Sequence, residues 1–393
     1  MKTAKITPSP LLVCSGGTTS RCAATGHWTL DLRKKYKQID FDHNQKTVVV
    51  GGGISMAKLL DELRKYGRSF PTGLSSLPGV GYILTGGISP LSRSQGLAID
   101  QIQQVKGIWG NGQIFTKNIP TNSSSLEDKI IWRGLCGAAS FLGIVTELTL
   151  KTQVLTPIEI WQSLATKEQL VDAIKQAENW PNSMSLQWIW GERILVYVVV
   201  KSNCQKTNKD LTYFKKKFPC YNTIQISKVQ GLYEMPPFGL PFKKQPQYKQ
   251  HSEVISLLSP EWGSTSTDLI KSLSRLISNR PNPDCLIASQ QLGGVSSQTS
   301  KLATSFIHRN SIWKPWINAS WQAGNLTERD KSLKWLEEVW QTFEPNCPAV
   351  HAAQMHQHLP WHKKETKLAF GDWLPGLQDL KSQYDPNGIL PAL

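Results

Sequence analysis

The sequence predicts an α+β protein with two domains, because its patterns change twice along the chain. Over about the first 150 residues, short β-branched runs alternate with Gly-rich turns. Strands of antiparallel type with amphipathic helices follow, and a short tail ends the chain. We therefore expect a first domain at residues 1–155, a substrate or cap domain at 156–365, and a C-terminal segment at 366–393 that returns to the first domain.

Hydrophobic spacing predicts the individual elements. Thr47–Val50 is a β-branched run that leads through Gly51–Gly53 into a helix over 56–66, where Leu59, Leu60 and Leu63 fall at helical spacing. Apolar runs predict further strands at 11–14, 82–84, 144–150, 158–164 and 194–200. Periodic apolar residues predict further helices at 167–178, 269–277 and 328–343. The stretch from Asn203 to Lys249 predicts long connections, and residues 384–388 predict a turn.

Composition excludes several classes of protein. Hydrophobic residues make up 39% and charged residues 19% of the 393 residues, as in ordinary globular proteins. No apolar run approaches the roughly 18 residues of a membrane helix, and the run at Leu11–Cys14 is too short for a signal peptide. The seven cysteines include no C-x-x-C pair, which argues against a disulfide framework and a structural zinc site. We expect reduced thiols, no metal and a cytoplasmic location.

The net charge of +15 is the one unusual bulk property. Basic clusters occur at 33–35, 215–217, 243–244 and 363–364. They are short, scattered and free of any nucleic-acid motif, so we interpret them as a passive basic surface rather than an anion-binding one. We therefore expect no nucleic-acid partner.

Three familiar motifs fail. Gly51 and Gly53 meet the first G-x-G of a dinucleotide turn, but Met56 stands at the third glycine and the acidic residue about 20 positions on is missing. No P-loop sequence occurs. His351, His356, His358 and His362 have no standard metal-ligand spacing, so we interpret this stretch as a polar loop.

Three other Gly-rich segments form a more consistent pattern. The first, SGGTTS at 15–20, follows a short strand and offers backbone N–H groups and hydroxyls to an anion such as a diphosphate. The second runs from PTG at 71–73 through LPGVGYILTGGISPLSRSQGLAID at 77–100. The third is WRG at 132–134 followed by SFLGIVTE at 140–147.

These segments resemble, in order, the flavin-binding loops of the vanillyl-alcohol-oxidase and berberine-bridge-enzyme superfamily. Asp31-Leu32, Val48–Gly53, Phe306–Arg309 and FGDWLPGLQDLK at 370–381 with Tyr384–Asn387 are also similar to segments of that superfamily. The resemblance implies a PCMH-type FAD domain, an antiparallel substrate domain covered by helices, and FAD as the cofactor. It implies hydride transfer from a small organic alcohol, sugar or amine to flavin N5, with a base that removes the neighbouring proton.

The resemblance also implies the site residues. The cofactor-binding set is Ser15, Gly16, Gly17, Thr18, Thr19, Ser20, Gly79, Val80, Gly81, Gly86, Gly87, Ser89, Leu91, Gly96, Asp100, Gly143, Ile144, Val145 and Asn387. The candidates for the base are His308, His356 and His358. Trp313, Trp316 and Trp321 are expected in the substrate domain, as pocket or core residues.

Departures from the family pattern bear on how the flavin is attached. Thr18 stands where bicovalent members carry the flavin-attaching His, and the second loop has no Cys between Gly73 and Gly87. We therefore expect noncovalent FAD. Only about fourteen residues precede Ser15, which implies a shortened N-terminal portion, and the aromatic Y-x-N-Y segment is replaced by the histidine stretch.

Two alternatives stay open. A catalytically degenerate flavin-binding or interaction protein of the same fold would explain these departures. A cell-wall-precursor reductase with the same type of flavin domain would use a nicotinamide donor, but its second domain should lack the Tyr-Asp-Pro-Asn ending. Bleaching of a flavin spectrum by a small-molecule substrate would distinguish an enzyme from a degenerate protein.

Overall fold

The computed structural model describes residues 10–75, 77–202, 225–235 and 249–393. Within these residues, one antiparallel sheet forms the centre of each domain, and helices pack against both sheets. The predicted α+β class is therefore confirmed.

The first domain is built around a five-stranded sheet. Its strands, with two short pairs beside it, are β1 (Leu12–Cys14), β2 (Thr29–Asp31), β3 (Ile39–Asp42), β4 (Thr47–Gly51), β5 (Arg68–Ser69), β6 (Ile102–Trp109), β7 (Ile114–Asn118), β8 (Gly143–Lys151) and β9 (Gln153–Val154). The strand order is β3-β4-β8-β6-β7, with every neighbouring pair antiparallel. β1 runs parallel to β2, so the first Gly-rich segment starts at the end of a fixed strand.

Four helices of this domain are α1 (Met56–Arg64), α2 (Val80–Ile83), α3 (Ser92–Gln95) and α4 (Leu126–Leu142). α1 buries Met56, Leu59, Leu60 and Leu63, because this spacing places them on one face. α4 is interrupted at Cys136–Ala138, where Gly137 has a φ of +128°. A Cβ at Gly137 would lie 2.6 Å from Ser305 Cβ, so the interruption also allows close contact with the second domain.

The second domain is an eight-stranded sheet in the described part of the chain. Its strands are β10 (Ile158–Ala165), β11 (Met184–Trp190), β12 (Ile194–Lys201), β13 (Gln225–Val229), β14 (Gln250–Leu258), β15 (Leu286–Gln291), β16 (Trp313–Gln322) and β17 (Ala349–Val350). Their order is β13-β10-β12-β11-β15-β16-β14-β17. The remaining helices are α5 (Lys167–Ala177), α6 (Ser266–Ser278), α7 (Leu326–Phe343), α8 (His362–Phe370) and α9 (Leu374–Tyr384).

α5 and α6 show why these helices form. Thr166 and Gln169 make a capping box at the start of α5. α6 buries Leu269, Ile270, Leu273, Leu276 and Ile277 at helical spacing. The predicted helices at 167–178, 269–277 and 328–343 are confirmed within a few residues at each end.

Two element predictions are wrong. Residues 82–84 lie in or next to the short helix α2 rather than in a strand, because a brief apolar run fits either structure and here Val80 and Ile83 face the core. The histidine stretch is irregular as far as His362, as predicted, but it is not an exposed polar loop, since His351 and His356 are buried. Most of the predicted connection from Asn203 to Lys249 lies outside the described residues, and β13 is the strand within its described part.

Buried arginines join the two domains. Arg93 of α3 donates from Nε to Met184 O at 2.8 Å, from Nη1 to Leu292 O at 2.8 Å and from Nη2 to Trp180 O at 2.7 Å. Arg309 makes a bidentate ion pair with Asp100, with both N–O distances 2.8 Å. The loops of the first domain are thus fixed against the second sheet. No helix in the described residues is long and apolar enough to cross a membrane.

Candidate flavin site

The three Gly-rich segments border one open cavity of about 340 Å³. Eleven of the residues named from the sequence lie in its wall: Ser15, Gly16, Gly17, Thr18, Thr19, Gly79, Val80, Gly81, Gly143, Ile144 and Val145. Segments far apart in the chain therefore meet at one site, which glycine spacing alone did not establish.

The first two segments cross at a pair of glycines. A Cβ on Gly16 would lie 2.3 Å from Gly79 N, and a Cβ on Gly79 would lie 2.6 Å from Gly16 N. Ser15 fastens the crossing, because its Oγ donates to Gly52 O at 2.6 Å and accepts from Gly81 N at 3.3 Å. Gly16 and Gly79 therefore allow the two loops to pack against each other, and they also leave the cavity wall free of side chains at this point.

Arg21 supplies a cation to the same wall, which the sequence analysis missed. Its Nη1 donates to Ala352 O at 2.7 Å and its Nη2 to Ser140 Oγ at 2.9 Å. Burial lowers the pKa of Arg21 to about 10, so the guanidinium stays charged at neutral pH. Its place, one residue after the SGGTTS segment, is the signal that could have indicated it.

Seven residues named as cofactor-binding do not border this cavity: Gly86, Gly87, Ser89, Leu91, Gly96, Asp100 and Asn387. Gly86 has a φ of +132°, and a Cβ there would lie 3.0 Å from His351 Nε2. A Cβ on Gly87 would lie 2.3 Å from Ala98 Cβ, and Gly96 ends α3 with a φ of +80°. Positive φ angles and close contacts within the loop therefore account for the glycines at these three positions.

Ser89, Leu91 and Asp100 support the same loop as these glycines. Ser89 Oγ accepts from Leu91 N at 3.1 Å, and both residues are buried. Asp100 is occupied by its ion pair with Arg309. Ser20 lies in the short turn Ser20–Cys22 that follows the first segment.

The C-terminal segment reaches the cavity through a different residue from the one expected. Asn387 is exposed, whereas Pro391 lies in the cavity wall. Asp385 fixes this end, because its carboxylate accepts from Ile389 N at 2.8 Å and Leu390 N at 2.9 Å. Ile389 and Leu390 pack with residues of the first domain, namely Leu11, Leu32 and Ile144.

The three histidines named as bases lie outside the cavity wall, and hydrogen bonds engage them. His308 Nε2 lies 2.8 Å from Leu368 O, and burial lowers its pKa. His356 lies between two carboxylates, with Nδ1 2.6 Å from Glu365 Oε1 and Nε2 3.2 Å from Glu253 Oε2. His358 is 45% exposed and contacts Glu253.

His356 is unsuited to accept a proton. Burial acts to lower its pKa, but the hydrogen bonds to Glu253 and Glu365 outweigh burial and raise the pKa to about 9. At neutral pH both ring nitrogens therefore carry protons and donate to carboxylates, so neither has a free lone pair. We do not retain His356 as a base.

His351 and Lys314 were not singled out as bases from the sequence. His351 Nε2 lies 2.9 Å from Thr85 O, and Thr85 is in the cavity wall. Its Nδ1 is buried without a hydrogen-bond partner among the described residues. Burial and the charge of Lys314 hold the pKa of His351 well below its usual value, so the ring is neutral.

Lys314 is buried in β16, and burial lowers its pKa to about 7. Its Nζ lies 5.0 Å from the centre of the Trp316 ring, and no carboxylate pairs with it in the described part of the chain. A lysine in such surroundings is a candidate base, because the neutral amine is accessible near pH 7. Nothing in its local sequence marks it.

The cavity fits FAD chemically. Glycine backbone and small hydroxyl residues form the wall, and Arg21 adds a positive charge, which together suit an anionic diphosphate. Ser15, Gly16, Gly79 and Gly81 would hold the diphosphate side, with Gly143–Val145 on the facing wall. No group of three or more potential metal ligands occurs in the described ranges.

The comparisons with known proteins agree with this chemistry. A family model for an FAD binding domain matches residues 1–117. YgaK, an uncharacterized FAD-linked oxidoreductase of Bacillus subtilis (strain 168), is 22% identical over 383 residues, covering 92% of this chain and 79% of YgaK. Berberine bridge enzyme-like 24 of Arabidopsis thaliana is 25% identical over 354 residues, covering 80% of this chain and 62% of the plant protein.

Among solved structures, the chain is similar to BBE-like 1 of Physcomitrella patens, with a TM-score of 0.80 and 20% identity. That match covers 98% of this chain and 86% of the moss protein. None of these comparisons supports the degenerate alternative. Residues 1–117 thus match an FAD binding domain, and most of the chain is similar to FAD-linked oxidoreductases and to berberine-bridge-enzyme-like proteins.

Proposed function

We propose that this enzyme oxidises a small organic alcohol, sugar or amine by hydride transfer to FAD held noncovalently in the cavity. The observation that carries the proposal is the convergence of the three Gly-rich segments on one cavity. When FAD is bound, its isoalloxazine accepts the hydride that leaves a substrate carbon. The protein binds and orients the reactants, and it removes a proton from the substrate.

Lys314 and His351 support the proton-removing step. Cross-strand pairing places Lys314 on the same face of the second sheet as Ser185. Ser185 contacts the first domain, because its Oγ donates to Pro90 O at 2.6 Å. The sheet face with Lys314 is therefore turned toward the loops of the flavin domain. We assign Lys314 Nζ as the acceptor of the substrate proton, with neutral His351 as a positioning residue whose Nδ1, unpartnered among the described residues, is available to accept a hydrogen bond from the substrate.

Thr18 supports noncovalent binding, because the hydroxyl of a threonine in the cavity wall is a much weaker nucleophile toward the flavin ring than the imidazole of a histidine. Cys22 also lies in the wall, and its Sγ is 3.0 Å from Thr19 O. Acid precipitation of the purified protein should leave FAD in the supernatant and a colourless pellet. Cys22→Ser is the matched control: flavin retained by the wild type and released by this variant would instead establish attachment at Cys22.

The decisive test of activity is anaerobic bleaching of the flavin absorbance near 450 nm. Purified holoenzyme is mixed with a panel of alcohols, sugars and amines, and bleaching by at least one class is expected. Oxygen is then admitted, and recovery of the absorbance distinguishes an oxidase from a dehydrogenase. A protein that binds FAD but is reduced by dithionite and by no member of a broad panel would contradict the proposal.

A further inference from the structure

Two cysteines stand at the ends of the first Gly-rich segment. Cys14 is the last residue of β1, and Cys22 is the last residue of the short turn Ser20–Cys22. This turn packs back against β1, so the chain reverses its direction between the two cysteines. Both thiols are free. We call residues 14–22 the cysteine loop, and this loop contains the backbone that we assigned to the FAD diphosphate.

The two thiols of the cysteine loop are in contact. A hydrogen bond joins the side chains of Cys14 and Cys22. Cys22 Sγ also donates to Thr19 O at 3.0 Å, which keeps Cys22 turned toward the loop. A Cβ on Gly17 would lie 3.5 Å from Cys14 Sγ, so Cys14 lies against the middle of the same loop. Thiols in contact need only a small movement to form a disulfide, whose sulfur atoms lie about 2.0 Å apart.

The two thiols differ in their access to the cavity. Cys22 is half-buried in the cavity wall, whereas Cys14 is 3% exposed and lies outside the wall. Burial raises the pKa of the Cys14 thiol to about 11. Arg33, which is the ion-pair partner of Asp31, places a positive charge beside both thiols and favours a thiolate. A small oxidant in the cavity therefore meets Cys22 first, and Cys14 is the partner thiol behind it.

The cysteine loop is held at its ends and is free between them. Ser15 fixes one end and Arg21 the other, through hydrogen bonds to neighbouring loops. The backbone N–H groups of residues 16–19 have no acceptor within the part of the chain that the structure describes. These groups are available to an anion such as a diphosphate. Their order before FAD binds therefore depends on how firmly the ends of the loop are held.

We propose that Cys14 and Cys22 are a peroxide-sensitive pair, whose disulfide closes the cysteine loop and tightens the binding of FAD. This adds a modification site to the cofactor loop and goes beyond the proposed function. It depends on the cavity being the flavin site, and it does not depend on which substrate is oxidised.

Hydrogen peroxide is the oxidant in this reaction. The Cys22 thiolate attacks one peroxide oxygen, the O–O bond breaks, and Cys22 becomes a sulfenic acid while hydroxide leaves. The Cys14 sulfur then attacks the Cys22 sulfur, so that the S–S bond forms and the S–O bond breaks. The proton of Cys14 leaves with the hydroxyl group as water. Together, two thiols are oxidised to one disulfide, and one peroxide is reduced to two molecules of water.

The disulfide changes the cost of ordering the loop. It holds the two ends of the cysteine loop together before FAD arrives, and a loop that is already rigid in its bound shape loses less entropy on binding. We expect FAD to bind roughly threefold or more tightly to the oxidised than to the reduced apoprotein. The oxidised apoprotein should also melt at a higher temperature, because the cross-link restricts the unfolded chain.

Peptide mapping tests whether the disulfide forms. Trypsin cleaves after Arg21, so Cys14 and Cys22 fall in separate peptides, residues 6–21 and 22–33. The full-length apoprotein is treated with hydrogen peroxide, the remaining thiols are blocked with N-ethylmaleimide, and the digest is analysed by mass spectrometry. The two peptides should appear linked and two hydrogen atoms lighter than their sum, and dithiothreitol should separate them. No linked pair, a sulfinic acid at Cys22 alone, or a link from Cys22 to another cysteine overturns the proposal.

FAD titration of the reduced and oxidised apoprotein tests the consequence. The wild type should gain affinity after peroxide and lose the gain after dithiothreitol, whereas Cys22→Ser and Cys14→Ser should show no gain. Cys285→Ser is the matched control, because Cys285 is buried in the second domain and its hydrogen bonds with Ser320 suit a hydroxyl. It should respond to peroxide like the wild type.

Equal FAD affinity in the oxidised and reduced wild type would overturn the role of the disulfide in cofactor binding, as would a gain that persists in Cys22→Ser. Because Cys22 is half-buried, Cys22→Ser also keeps the test valid if Cys14→Ser does not fold. Neither measurement involves turnover, so a failure to oxidise any substrate would refute the proposed function and leave these results unchanged.

Discussion

Lys314 is a buried lysine without a carboxylate partner among the residues that the structure describes. Burying an ammonium group without a carboxylate is unfavourable, and the pKa falls to about 7 as a result. The amine of Lys314 therefore lowers the stability of the fold, although the proposed reaction requires it. Removing it should stabilise the protein and impair the reaction.

We predict that Lys314→Met lowers the rate of flavin reduction by roughly 10²–10⁴-fold, the usual contribution of a positioned base. In the wild type the rate should rise as pH increases through about 7, because only the neutral amine accepts a proton. In the variant, the rate of flavin reduction should no longer rise with pH near 7. Anaerobic stopped-flow bleaching over pH 5.5–9 measures both effects, and a variant that keeps the step would exclude Lys314 as the base.

The same variant has a second expected signature in stability. The pKa of Lys314 lies near 7 in the folded state and about 10.4 in the unfolded chain, so the unfolded chain binds more protons between these values. Wild-type stability should rise with pH across that window. The melting temperature of Lys314→Met should exceed the wild-type value most below pH 7, and the excess should shrink toward pH 10. Lys334→Met, at an exposed position of α7, should show no such trend.

The glycines of the site could be predicted from the sequence, whereas the roles of its titratable side chains could not. The resemblance of the Gly-rich segments to flavin-binding loops selected Gly16, Gly79 and Gly143, and all three lie in the cavity wall. The histidines were selected for their residue type, yet their roles depend on partners such as Glu253 that lie about a hundred residues away. Lys314 is one of 44 basic residues, and only the cross-strand register shows its surroundings.

Among the elements, the second Gly-rich loop provides a test that separates folding from cofactor binding. Gly81 has room for a side chain, since an added Cβ would lie 3.8 Å from Ser15 Cβ, its nearest neighbour. Gly81→Leu should fold and should weaken FAD binding at least tenfold by filling the cavity. Gly16→Ala should instead lower the melting temperature of the apoprotein, because its Cβ meets Gly79 N at 2.3 Å.

FAD titration and thermal melting of the apoprotein distinguish these outcomes. Gly191→Ala is the control, because its Cβ would meet only Leu286 Cβ at 4.0 Å, in the second domain. Full FAD affinity in Gly81→Leu would place the cofactor elsewhere than in the cavity bordered by α2.

The C-terminal segment yields a further prediction. Deleting Ile389–Leu393 removes two buried apolar residues and Pro391 from the cavity wall. We expect a loss of about 3–5 kcal/mol of stability from the two side chains, together with weaker FAD binding. Asn387→Ala should change neither property, because Asn387 is exposed at the turn. Denaturant unfolding and FAD titration measure the two effects, and unchanged FAD affinity in the truncated protein would show that the segment is only structural.

Elements with strong periodicity were predictable, and those shaped by the other domain were not. α5 has its own capping box and apolar face, so local sequence was sufficient. α4 ends in a segment bent at Gly137 to fit Ser305, and that bend depends on a residue of the second domain. The run at 82–84 was assigned to a strand because three residues of apolar sequence do not distinguish a helix from a strand.

In the whole molecule, Arg93 makes the two domains depend on each other. Its guanidinium satisfies three carbonyls of the second domain, and it is 4% exposed. Arg93→Met would leave these carbonyls unpaired, at a cost of roughly 1–3 kcal/mol each. We expect the apoprotein to unfold in one calorimetric transition and Arg93→Met to split that transition in two. Arg193→Met, at an exposed turn position, should keep a single transition.

The wall of the flavin cavity extends from Val13 to Pro391, and this span sets the order of events during synthesis. A ribosome delivers the first domain long before Ala353, Gln354 and Pro391 emerge, so the nascent chain has an unfinished cavity. We therefore expect FAD to bind after the second domain has been synthesised, and each bound molecule stabilises the folded protein by mass action. When riboflavin is scarce in the cell, newly made apoprotein should be degraded faster than protein that already holds its cofactor.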